Sequence, residues 1–119
     1  MRYRGVLAIL LIALTSCADV SFIEHITFTN NGDFPAHVEV RDTERSGWLG
    51  IGTALPNDET SFREVIDQGE TWIFRFDYVG EHYEELEVSR ASLERSDWRV
   101  GVPAEFDAAL RELGFSPPP

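Results

Sequence analysis

Cys17 is the single cysteine of the chain, so its thiol has no intramolecular disulfide partner and stands as a nucleophile, a ligand or a point of attachment. Nucleophilic hydrolysis needs a Ser or Cys beside a His and a carboxylate in a recognisable local setting. No G-x-S-x-G occurs, and His25, His37 and His82 are unmatched to a nucleophile. A metal needs several converging donors; His25 and His37, with Glu39 nearby, fall on runs separated by one turn. Solvent-facing His on a hairpin has the same pattern, so the sequence assigns no metal or other cofactor and keeps a divalent-cation site on His25 and His37 as the alternative. A blue-copper centre needs an internal Cys that is lacking here. Asn57-Asp58-Glu59 reads as a turn without the rest of a calcium loop. Glu81, Glu84, Glu85 and Glu87 are dense, but Glu85 and Glu87 alternate to the solvent face of a strand, where Arg75 and Arg99 on neighbouring strands could pair with them. That is no glycosidase-like acid and base. Among the aromatics, Trp48 and Tyr83 are flanked by turns and are the candidate ligand contacts, whereas Trp72 and Trp98 share the parity of core residues.

The segment leading to Cys17 has the anatomy of an export signal. Arg2 and Arg4 precede a continuous apolar run from Val6 to Leu14, and the uncharged stretch from Gly5 to Ala18 spans fourteen residues. A helix that crosses the hydrocarbon needs about 20. Leu14-Thr15-Ser16-Cys17 resembles the lipobox of bacterial lipoproteins, an aliphatic residue and two small ones before Cys, and all four positions fit. The resemblance implies a diacylglyceryl group on the Cys17 sulfur, cleavage after Ser16, and Cys17 as the mature N-terminus. Ordinary secretion is disfavoured because Ala13-Leu14-Thr15 is a poor small-x-small site. The mature region resembles small lipoprotein domains of high-GC bacteria and carries no motif from which an activity follows. Its basic side chains are all Arg, with no Lys, as a GC-rich coding bias would give.

Charge narrows the partners. Removing the first sixteen residues takes away two of the ten basic side chains and none of the 21 acidic ones, which leaves a formal charge of −13 with His neutral. Nucleic acid is excluded, because phosphates demand Lys and Arg. Attraction to an anionic lipid surface is disfavoured on the same ground. An acidic surface favours solubility or a cationic partner.

The elements that must position these residues are strands. Beyond Val20, apolar residues alternate over short runs separated by turns every eight to twelve positions. Ile26 and Phe28 oppose His25, Thr27 and Thr29, and Asn30-Asn31-Gly32-Asp33 then reads as a hairpin turn into Val38 and Val40. Ser46-Gly47 opens a third run through Trp48, Leu49 and Ile51, and Pro56 to Glu59 turns into Phe62 to Ile66. Trp72, Phe74, Phe76 and Tyr78 alternate strictly with Ile73, Arg75, Asp77 and Val79, the mark of a central strand. Tyr83 to Val88 and Trp98 to Val102 complete seven. Ser89 caps a short helix that buries Leu93. A final helix has Pro103 at its first position, Phe106, Leu110 and Leu113 on one face, a stop at Gly114 and a Schellman-type contact at Phe115.

The expectation is a mainly β, antiparallel two-sheet sandwich of immunoglobulin-like architecture with a short C-terminal helix; a partly open barrel is the rival. Its parts are a cleaved signal peptide (1–16), a lipidated N-terminus and short tether (17–21), the sandwich (22–115) and a Pro-rich tail (116–119). The functional expectation is a non-enzymatic, lipid-anchored module outside the cell membrane, held by the diacylglyceryl group and binding an envelope protein or a cationic partner. The alternatives are divalent-cation binding, or carbohydrate or peptide binding through exposed aromatics.

Overall fold

The computed structural model describes residues 20–44 and 47–119. The signal segment, Cys17, the first tether residues and Ser46 lie outside the described residues. Period-two alternation yields seven strands: β1 (Phe22–Asn30), β2 (Ala36–Arg41), β3 (Leu49–Ala54), β4 (Asp58–Ile66), β5 (Thr71–Tyr78), β6 (Glu81–Ser89) and β7 (Arg99–Gly101). Helix α1 (Arg90–Arg95) separates β6 from β7, and α2 (Ala104–Glu112) follows β7. The strands form two sheets, ordered β4-β1-β7 and β3-β2-β5-β6, so the molecule is a sandwich and not a closed barrel. Pairing is antiparallel with one correction to expectation: β7 runs parallel to β1. The reason is α1, which carries the chain from one sheet to the other and delivers β7 beside β1 from the end where β1 begins.

The facing sides of the sheets are aromatic. Trp72, Phe74 and Phe76 of β5 are fully buried, as are Ile26 and Phe28 of β1. Phe28 stands edge-on to Phe62, Phe74 and Phe76 with ring centroids 5.9, 5.5 and 6.2 Å apart, the arrangement in which aromatic quadrupoles attract. Phe62 also presses on Gly52, where a methyl group would overlap its ring. Trp98 precedes β7 and does not belong to it, because Asp97 and Trp98 both take left-handed φ values of 56° and 58°. Its indole nonetheless packs edge-on against Trp72 at 5.4 Å, as its parity required.

The turn after β1 is not a hairpin. β1 and β2 lie in different sheets, and the segment from Asn31 to Pro35 is a crossover that buries Phe34. Asn30, 1 % exposed, holds it: Nδ2 donates to the carbonyls of Phe34 (2.8 Å) and Ala54 (3.2 Å), and Oδ1 accepts from the Gly32 N–H (3.0 Å). One amide thus ties the end of β1 to the end of β3 in the opposite sheet.

Both helices obey their caps. Ser89 accepts from the Ser92 N–H at 3.1 Å, and Leu93 is buried. Pro103 is the N-cap of α2 and not its first helical residue. At the other end, Gly114 (φ 93°) donates to the Arg111 carbonyl and Phe115 to the Leu110 carbonyl, both at 3.0 Å, which is the Schellman pairing. The same turn corrects the assignment of Leu113, which is 61 % exposed: the chain reverses there, and Phe115 covers Tyr78 instead.

Ion pairs dock α2. Arg111 reaches both Asp107 (2.8 Å) and Asp33 (2.5 Å), and Asp107 Oδ1 accepts the Asp33 N–H at 2.9 Å. The hydrogen bond from Arg111, helped by the backbone N–H groups of Asp33 and Phe34, holds the Asp107 carboxyl below its ordinary value against the opposing effect of burial. Because the folded-state value is depressed, the stabilisation is present above the unfolded value of about 3.9 and is lost as pH falls through the lower folded value. Urea titrations of wild type and Asp107→Asn should therefore differ at pH 7, and the difference should shrink as pH falls below the unfolded value of about 3.9; a gap of unchanged size in acid would refute the assignment.

Candidate functional site

Side chains that point away from the core of the four-stranded sheet fall into cross-strand rows. Strand register aligns Thr53, His37, Asp77 and Tyr83 in one row, and Gly50, Glu39, Arg75 and Glu85 in the next. Alternation along β5 places Arg75 and Asp77 on this face for the same reason that it buries Trp72, Phe74 and Phe76.

Arg75 is the centre of the second row. Its Nε and Nη2 donate to Glu39 Oε1 at 3.0 and 2.7 Å. The guanidinium lies 4.3 Å from the ring centre of Trp48 and 4.6 Å from that of Tyr83, so two aromatics distant in sequence meet through one cation. Arg41 adds a second guanidinium over Trp48 at 5.0 Å. Such contacts contribute about 0.5–1 kcal/mol each at exposed sites and more when water is excluded. Tyr83 remains 49 % exposed, leaving much of its ring open to solvent.

In the first row, His37 Nδ1 and Asp77 Oδ1 lie 3.0 Å apart. The Asp77 side chain is 7 % exposed and that of His37 is 45 % exposed, so a buried carboxylate orients a solvent-facing imidazole. Asp77 Oδ2 is held separately by the Gly80 N–H at 2.9 Å. Gly80 and Val79 form the β5–β6 turn with φ of 76° and 47°, an unfavourable conformation for a β-branched residue. A cavity of about 270 Å³ beside this turn is lined by Pro35, His37, Thr53, Asp77, Tyr78 and Val79.

The positions read from sequence separate accordingly. Trp48 and Tyr83 are brought together. His25 and His37 are not: His25 lies on β1 in the other sheet, opposite Arg63, because the crossover replaces the expected hairpin. Arg75 pairs with Glu39 and not with Glu85 or Glu87, and Arg99 pairs with Glu59 at 3.0 Å in the three-stranded sheet. Asn57 serves the turn, donating to Asp33 Oδ1 at 3.0 Å. Sequence reasoning missed Asp77 and the central place of Arg75; their parity on β5 was visible, but the neighbours of β5 were not. Among the described residues no helix is long and apolar enough to cross a membrane. No protein-family model, no curated protein and no solved structure matches the chain.

Proposed function

We propose that the chain is a lipid-anchored module on the outer side of the cell membrane, without catalytic activity, that engages an envelope protein through the outer face of the four-stranded sheet. The observation that carries this reading is the stack of Trp48, Arg75 and Tyr83. Trp, Tyr and Arg are the side chains that dominate binding energy at protein interfaces, through large rigid contact area and multiple donors. Exposed Glu85 and Glu87 border the stack, so the matching rim of the partner is basic. The lipobox resemblance supports the anchor. Four residues lie between Cys17 and the start of β1, a span of five steps that reaches at most about 18 Å at roughly 3.5 Å per step, so the partner also sits near the bilayer.

A photo-cross-linking residue in place of Tyr83 is expected to give a discrete protein adduct in intact envelopes, reduced by Trp48→Ala, while the same residue in place of Arg63 on the other sheet gives none. Equal adducts from both positions, or none from either, would overturn the reading.

A further inference from the structure

The stack leaves the adjoining row unexplained, and that row has its own chemistry. We propose that His37, Glu39 and Asp77 bind a divalent transition ion of the zinc type. Among the described residues these three form a group in which one imidazole nitrogen and two carboxylate oxygens all lie within 4.8 Å of one another. The spacing of the first pair is already that of two ligands of one ion. Donors about 2.1 Å from a metal, set at octahedral or tetrahedral angles, stand about 3.0–3.4 Å apart, and His37 Nδ1 and Asp77 Oδ1 are 3.0 Å apart. The ion takes the place of the hydrogen between them: the neutral imidazole binds it through Nδ1 and carries its one hydrogen on Nε2. Glu39 follows two residues after His37 on the same face of β2 and supplies the third donor.

Each carboxylate already has the outer hydrogen bond that fixes a ligand's orientation. Asp77 Oδ2 is held by Gly80, which leaves Oδ1 turned to the imidazole. Both Arg75 bonds fall on Glu39 Oε1, which leaves Oε2 for the ion. Arg75 lowers the local negative charge and so weakens the site, but the two carboxylates still outweigh it. One nitrogen with two oxygens suits zinc, nickel or manganese; magnesium and calcium prefer oxygen alone. The half-exposed imidazole and the cavity beside Thr53 leave the other coordination positions to water. This pairing of His37 with Asp77 replaces the His25 and His37 alternative, which the sheet topology separates.

Calorimetric titration with zinc chloride tests the site, using the full chain in detergent with Cys17→Ser in every sample so that no thiol competes. Saturable binding at one ion per chain is expected. His37→Gln should weaken it at least about tenfold, Asp77→Asn similarly and Glu39→Gln severalfold, whereas His25→Gln leaves it unchanged and magnesium gives no heat. The absence of saturable heat, or a His37→Gln titration that superimposes on the parent, would overturn the proposal. His37 is half-exposed, so its replacement keeps the test decisive even if Asp77→Asn fails to fold, as circular dichroism would reveal. The interface proposal rests on Trp48, Arg75 and Tyr83 and survives failure here.

Discussion

Cys17→Ser is expected to remove all lipid from the chain and to block its maturation. Thioether formation requires a thiolate, and a serine hydroxyl is far too weak an acid to replace it. Two acyl chains of about fifteen carbons each, at about 0.8 kcal/mol per methylene, would contribute on the order of 20 kcal/mol of membrane affinity. Intact mass and labelling with radioactive palmitate check the result. Wild type should carry the label at processed length, and the variant should lack it and stay at precursor length. Label retained on the variant would refute the anchor.

Asn30→Ala is expected to lower the free energy of unfolding by about 3–5 kcal/mol, since three backbone groups lose their partner and an unpaired buried polar group costs about 1–3 kcal/mol. The affected groups are the Phe34 and Ala54 carbonyls and the Gly32 N–H. Small domains have only about 5–15 kcal/mol in total, so the variant should approach the edge of folding. Urea denaturation followed by tryptophan fluorescence measures the change. A loss below about 1 kcal/mol would show that water takes over the hydrogen bonds and that the amide is no clip between sheets.

The same residue marks the limit of what sequence conveyed. Strict alternation in β5 made its aromatic face legible, because parity along a strand is a local property. Whether Asn30 to Asp33 closes a hairpin or opens a crossover depends on what covers Phe34, and that is tertiary. His25 and His37 were misplaced together for this reason. Tyr83 was readable as exposed because turns flank it, whereas Trp48, also flanked by a turn, is half-buried, and Arg75 between their rings follows only from the order β3-β2-β5-β6. Leu113 was misread for a related reason: helical spacing continued through it, while the left-handed residue at Gly114 transferred its place to Phe115. Sorting of strands into sheets decided both the fold's one parallel pairing and the composition of the candidate sites.

That parallel pairing has a kinetic consequence. β1 is the middle strand of its sheet, yet its partners β4 and β7 begin 36 and 77 residues after it does. A chain threaded outward N-terminus first would expose both edges of β1 until the partners emerged, and the second edge would close only with the last strand. Pairing over such sequence distance is slow, since loop closure must precede any gain. During that wait Ile26 and Phe28 are open to chaperones, to proteases and to the same strand of a neighbouring copy. Completion of β7 is then the event that separates a vulnerable chain from a finished domain.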